Sequence, residues 1–389
     1  SWPQKGELGR CPSGHLRRLR TPVQLTRSTR CQSKLAKPMH FAEVSEVDFF
    51  ARRQRCGVDA VGYDHLMRKL ILPTVAFVAA LVAIAGCQPR NRASPPSSTN
   101  PPTSPYVVVL GTAQDGGFPQ AGCTKVCCKR AHERGIKEPV TALGIVDPAT
   151  GSRWLIDATP DFPGQLRALL ASPPAAKLAK LRGIFLTHGH IGHYTGLIHL
   201  GREVMGARQV PVYAMPRMRS FLCAAGPWSQ LVALKNIVLR AMHAGRPVQL
   251  TPTLRVTPLL VPHRDEFTET VGFRIEGPAR SVLFIPDIDK WGKWHTPLHK
   301  ALGGVDVALL DGTFFDQSEL PGRDMSQIPH PFIEETIARL QNSPQSLRKK
   351  VMFIHLNHTN SALEPQSEAT SIIARAGMAV ARKGQRLSL

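Results

Sequence analysis

Aromatic residues are few, 6% of a 389-residue chain, and no run of them interleaves with basic residues. No base-stacking platform is evident, so the formal charge of +21 argues only weakly for nucleic acid. The stretch "LGTAQDGG" (residues 110–117) lacks the G-x-G-x-x-G spacing of a dinucleotide loop and reads as a turn near the mouth of a site. Cysteines do not form an even framework. Cys11, Cys31 and Cys56 lie in a patternless basic leader, and Cys87, Cys123, Cys127, Cys128 and Cys223 follow it. No internal repeat is visible, and no second domain boundary follows residue 106. What remains is a globular balance, 42% hydrophobic and 20% charged.

The chain begins with serine, and residues 1–66 keep neither a helical nor a strand period. "MRKLILPTVAFVAALVAIAGCQPR" follows: a short positive start, an apolar run over 70–83, then small residues before Cys87. That is the plan of a secretory signal, and "IAGC" resembles a bacterial lipoprotein cleavage box. The run is short for a membrane-spanning helix, which needs about 20 residues; an uncleaved anchor is the competing reading. The expectation is an upstream segment, non-native or disordered, over 1–66, with Met67 as the true start. A lipoprotein signal peptide spans 67–86 and a Pro/Ser/Thr-rich tether 87–105. Lipidated at Cys87, the protein would be exported and membrane-anchored in the cell envelope. From Cys87 onward 35 basic residues face 22 acidic ones, a charge of +13. It suits either a solvated face beside anionic lipid or attraction of an anionic small-molecule substrate.

From residue 106 the pattern changes. "YVVVL", "VTALGIVD", "RWLIDATPD" and "RGIFLT" read as buried strands, and "FPGQLRALL" (162–170) as a helix. Apolar residues from His193 through Met205 keep helical spacing. "VPVYAM", "RVTPLLVPH", "TVGFRIEG", "SVLFIPD", "DVALLDGTFF" and "KVMFIHLNHTN" are strand-like, and several end at a His or Asp. "HPFIEETIARLQNS" is an amphipathic helix. Short strands with interspersed helices indicate a layered α/β sandwich over 106–389.

"LTHGHIGHYTGL" (186–197) sets His188, His190 and His193 on a strand-to-helix loop. His188 and His190 can turn to one point, as a metal with three protein ligands requires. His263, Asp287 and His355 each end an apolar run, where catalytic groups gather on a rigid scaffold. His199, His243, His295 and His299 read as structural or surface residues.

The order of these pieces resembles the metallo-β-lactamase superfamily: H-x-H-x-D-H, a distant His, an Asp and a final His. The resemblance implies a four-layer αββα sandwich. His188, His190 and His263 would hold a first metal, Asp287 would bridge, and His193 and His355 would hold a second. Asp287 and His193 are the expected catalytic residues. Asp157 matches the acidic residue that props the histidine loop. Gly192 stands where the motif has aspartate, so one Zn2+ is expected, and a second only if Asp289 or a water fills the gap. Iron and manganese also suit these ligands.

Within the superfamily, "VLGTAQDGGFPQAGC", "DATPDFPGQL", "VPHRDEFTETVGF" and "HLNHTN" resemble the coenzyme PQQ synthesis protein B group. His358 departs from the asparagine expected there. Cys123, Cys127 and Cys128, with His132 behind them, form a C-x(3)-C-C cluster, a weak signal alone. The resemblance implies a structural zinc; a disulfide is the alternative. Asp311 would support a metal-bound histidine, and His330 would face substrate. The expected function is hydrolysis of an ester or phosphodiester by metal-bound hydroxide. Two alternatives are a redox step on a PQQ-like precursor and a non-catalytic carrier of a metal or metabolite.

Overall fold

The computed structural model describes residues 102–174, 179–324 and 327–389. The expected upstream segment, the signal peptide and Cys87 lie outside the described residues, as does most of the tether. No helix among the described residues is long and apolar enough to cross a membrane.

Two seven-stranded sheets carry the fold. The first is built from β1 (Tyr106–Gly111), β2 (Ala142–Asp147), β3 (Ser152–Ile156), β4 (Lys180–Phe185), β5 (Val210–Ala214) and β6 (Ile237–Ala241). The second holds β7 (Val248–Thr251), β8 (Leu254–Leu260), β9 (Val271–Glu276), β10 (Ser281–Ile285), β11 (Val307–Asp311), β12 (Val351–Ile354) and β13 (Ala379–Val380). The last strand, β14 (Arg386–Ser388), returns to pair with β1, Tyr106 opposite Ser388. Each sheet runs antiparallel at one end and parallel at the other. In the first, β3, β4, β5 and β6 are parallel neighbours. In the second, β10, β11, β12 and β13 are.

Parallel neighbours need crossovers, and the helices supply them. Phe162–Leu170 joins β3 to β4, and Leu298–Gly303 joins β10 to β11. Val107, Val109, Leu143, Ile145 and Phe185 face Val256, Phe273, Val282, Phe284 and Leu309 in one cluster between the sheets. Val108, Leu155 and Ile184 turn the other way, onto Phe162, Leu166 and Leu169. Leu283, Leu310 and Phe353 pack outward against Leu298, Ile333 and Ile373. The layers run helix, sheet, sheet, helix. Burial on both faces explains why the parallel strands read as continuous apolar runs.

One segment departs from its expected form. The helical spacing over 193–205 gives only a turn of α-helix, Ile191–Tyr194, and a 3-10 helix, Thr195–Leu200. Val204 and Met205 are exposed, 62% and 47%. Gly196 lies where a Cβ would come within 2.7 Å of Phe162 Cβ. The chain is thus pinned to the neighbouring helix and leaves the helical path early.

Candidate metal centre

Parallel strands on both sheets end at one edge, the usual place for ligand chemistry in such sheets. Asp157 follows β3, the three histidines follow β4, Asp287 follows β10, Asp311 ends β11 and His355 follows β12. Asp157 and His355 both hold left-handed backbone, φ 65° and 66°. Non-glycine residues adopt it sparingly, and it gathers at functional sites.

The structure brings the expected site residues together. Ligand atoms of His188, His190, His263 and Asp287 all lie within 4.8 Å of one another. Asp287 Oδ2 is 3.3 Å from His188 Nε2 and 3.5 Å from His193 Nε2, while Oδ1 is 3.4 Å from His263 Nε2. His355 Nε2 stands 3.8 Å from Asp287 Oδ2. Asp289 is not part of the cluster: it accepts from Lys290 N–H and pairs with Lys293.

One residue was missed by the sequence reading. Asp115, in the turn after β1, groups with His193 and His355, its Oδ1 3.2 Å from His193 Nε2 and 3.6 Å from His355 Nε2. Its signal was an unexplained aspartate inside "AQDGG".

Two small networks aim the rings. Thr187 Oγ1 donates to the Asp157 carboxylate, so it accepts from His188 Nδ1 at 3.0 Å, leaving Nε2 facing inward. The same device recurs on the second sheet. Thr313 Oγ1 donates to Asp311 Oδ1 at 2.7 Å and accepts from His355 Nδ1 at 3.0 Å. Asp157 Oδ2 takes His193 Nδ1 directly at 2.8 Å. Asp157 thus bonds the His193 ring directly and the His188 ring through Thr187, and Asp311 reaches the His355 ring through Thr313. His330 does not face outward: it is buried, its Nδ1 2.9 Å from Asp311 and 3.3 Å from Asp287. Burial opposes its protonation, but the Asp311 and Asp287 charges outweigh it and raise the ring to about 9.

The field is strongly polarised. Burial works against the charge on Asp287, yet His263, His355 and His330 hold it well below the usual carboxylate range. His193 and His355 overcome burial for Asp115 in the same way. Burial, aided by the charge on His193, keeps His188 well below the ordinary histidine value. Burial also lowers His263. His193 goes the other way: burial opposes, but Asp157 and Asp115 lift it well above.

Half of the buried polar side-chain atoms without a hydrogen-bond partner among the described residues, six of twelve, converge here. They are Asp115 Oδ1, His193 Nε2, both His263 nitrogens, Asp287 Oδ1 and His355 Nε2. Buried groups are normally satisfied. Bare imidazole nitrogens around ionised carboxylates are the donor set a divalent cation satisfies.

A second cluster, Cys123, Cys127 and Cys128, has thiol sulfurs within 4.8 Å and no disulfide among them. His132 is exposed on its helix and takes no part. His358 bonds Asn357 Oδ1 at 3.0 Å. His199 stacks on Phe162 as a structural residue.

Residues 152–356 match the Beta-lactamase superfamily domain. The chain belongs to that superfamily. Within it, homology is strong to coenzyme PQQ synthesis protein B. The relative from Xanthomonas oryzae pv. oryzae is 30% identical over 309 residues, 73% of this chain and 99% of that protein. The one from Methylobacterium sp. (strain 4-46) is 27% identical over 309 residues, 72% of this chain and 99% of that protein. Zn2+-bound PqqB from Methylobacterium extorquens shares the fold, with a TM-score of 0.59 and 23% identity over 73% of this chain and all of that one. A diphosphatase of the PhnP family also shares it, with a TM-score of 0.52, 21% identity, and coverage of 73% and 97%. This superfamily fold places the histidine–aspartate cluster at the edge where the two sheets end.

Proposed function

We propose that the chain is a metal-dependent hydrolase acting on an ester or phosphodiester. The convergence of the His188, His190 and His263 rings on the ionised Asp287 carboxylate, with both His263 nitrogens and Asp287 Oδ1 buried and unpartnered, carries the reading. Those four residues would hold the ion. It would polarise a substrate oxygen and lower the pKa of water at neutral pH. Zinc suits the imidazole-rich set, and iron and manganese are compatible with it. A zinc-bound homologous fold supports this.

The chain's own residues do the rest. Asp287 stays ionised between the histidines and can accept hydrogen bonds from both sides. His190 is the partly exposed member, 11%, and its Nε2 meets Glu266 at 2.9 Å. Substrate would enter on that side. Arg264 Nη2, 3.3 Å from His190 Nδ1, offers positive charge there, and exposed Phe267 and Ile191 offer apolar contact. A substrate combining an anion with an apolar group fits this rim. The segment Phe267–Thr268 closes over the loop, Gly189 N–H donating to Thr268 Oγ1 at 2.8 Å.

Homology to a PQQ synthesis protein favours a second reading, a redox step on a PQQ-like precursor. One experiment separates the alternatives: metal content of the purified full chain, with turnover of bis(p-nitrophenyl) phosphate and p-nitrophenyl acetate, for parent and His263→Ala. Loss of metal and turnover together supports the hydrolase. Metal without turnover of either ester supports a carrier, and consumption of oxygen with a quinone precursor supports the redox step. We also propose membrane anchoring through Cys87, which Cys87→Ser would abolish in a fractionation assay.

A further inference from the structure

We propose that Asp115 replaces the carboxylate missing at position 192 and, with His193 and His355, completes a second cation site that shares Asp287. The inference rests on the metal-binding reading above. It assigns the chain two ions at its histidine centre where the motif alone predicts one.

Space supplies the first argument. A Cβ built on Gly192 would sit 2.7 Å from both Cα and Cγ of Asp115, and nearer still to Oδ1. Real Cβ atoms do not approach heavy atoms that closely. The volume a side chain at 192 would fill is occupied by the Asp115 carboxylate. Backbone conformation does not demand glycine there, because residue 192 lies in the helical turn Ile191–Tyr194 with no positive φ. Glycine is required by its neighbour, and the two positions exclude one another's side chains.

The second argument is the set of unsatisfied atoms. Asp115 Oδ1, His193 Nε2 and His355 Nε2 are each buried without a hydrogen-bond partner, and both histidines are wholly buried. Their other nitrogens are committed, His193 Nδ1 to Asp157 and His355 Nδ1 to Thr313. With the proton on Nδ1, each Nε2 presents its lone pair to Asp115. A proton on His193 Nε2 can bridge only one of these pairs, His193 to Asp115 at 3.2 Å; a divalent cation that displaces it would serve Asp115 Oδ1 and both Nε2 atoms at once.

The third is rigidity. Gln114 N–H donates to Leu356 O at 2.8 Å, and Leu356 N–H donates to Thr112 O at 2.8 Å. These bonds lock the segment before Asp115 to the residue after His355. Thr112 and Ala113 N–H also both bond Pro139 O. A ligand from a loop far away in sequence is thereby held as firmly as one inside the histidine motif.

The test is a carboxylate transfer, read as zinc per full chain after dialysis, with Mn2+-loaded protein examined by electron paramagnetic resonance. Asp115→Asn keeps shape and should lose one equivalent, turning a spin-coupled pair signal into that of an isolated ion. Gly192→Asp alone should clash and also lose it. The double variant Asp115→Gly with Gly192→Asp should restore the full count and the coupled signal. Retention of every equivalent by Asp115→Asn, or a double variant no better than the singles while thermal melting shows it folded, overturns the proposal. His263→Ala reports the first site separately. If it too changes nothing, the metal-binding reading falls; if it loses metal while Asp115→Asn does not, only this inference fails.

Discussion

Asp157→Asn should cost both stability and metal while leaving the backbone intact. Asparagine tolerates the left-handed φ of 65° at this position, so the turn survives. The carboxylate, however, accepts from three donors: Thr187 N at 2.8 Å, Thr187 Oγ1 at 3.0 Å and His193 Nδ1 at 2.8 Å. An amide can offer its oxygen in one direction only. If oxygen faces Thr187 N–H, the NH2 faces His193 and forces its proton from Nδ1 to Nε2, where the lone pair must point at Asp115 and Asp287. If the amide flips, the buried Thr187 N–H is orphaned. The first arrangement loses the charged hydrogen bond and turns a proton, not a lone pair, toward the metal position; the second orphans a buried donor, and either costs about 1.5–3 kcal/mol. In a domain of this size that lowers Tm by roughly 4–10 °C, and loss of such a support weakens metal binding about 10–100-fold. Stability is measured by chemical unfolding in EDTA, affinity by competition with a chelator, and the His193 tautomer by 15N–1H correlation through the ring protons. A variant with parental affinity and an unmoved Nδ1 proton would refute this account of how the ring is held.

Cys128→Ser should remove one structural equivalent of metal and loosen the helix Val126–Glu133, while the metal lost by His263→Ala stays bound. Limited proteolysis with elemental analysis checks it, and loss of both metals together would show that the centres are not independent. Glu319 gives a pH signature. Burial, with the Asp316 charge adding to it, pushes its carboxyl up to about 7 although Phe315 N–H and Thr359 Oγ1 donate to it. A raised folded pKa means stability that is full below the unfolded value and is lost as pH climbs from there through about 7. Glu319→Gln, a mimic of the protonated form, should match the parent near pH 4.5 and exceed it by about 2–3 kcal/mol above pH 8, as two or so units of pKa imply. Equal differences in urea unfolding at both pH values would count against the buried-carboxyl reading.

The parts of the fold legible in sequence are those whose burial leaves one interpretation. Phe162–Leu170 was readable to the residue, because Phe162, Leu166 and Leu169 repeat at helical spacing between a turn and a proline-rich exit. The strands β10, β11 and β12, and the second half of β4, were readable because both of their faces are covered. The strand β6 was not, since its last residues are exposed. The edge strands β13 and β14, of two and three residues, carry too little pattern to separate from loop. Over 193–205 the period was present but not decisive. A helix there would need Gly196 to move off Phe162, and tertiary contact outweighed local spacing.

The site divides along the same line. His188, His190, His263, Asp287 and His355 end apolar runs, so each was visible as a polar residue where the strand should have stayed apolar. Asp115 ends no such run. Its strand stops at Gly111, and four loop residues later nothing local distinguishes it from the turn-forming aspartates found in any loop. What could have found it was the gap at Gly192 taken as a demand. A centre that keeps His193 and His355 as ligands has to find its carboxylate elsewhere, and it must come from a loop that can reach the space a side chain at 192 would fill. Two glycines after Asp115 mark such a loop, because Gly117, at φ 68°, closes a tight turn with its N–H on Gln114 O at 2.7 Å. A glycine in a ligand position is then informative in a way a merely absent ligand is not: it reports that something else already fills the space.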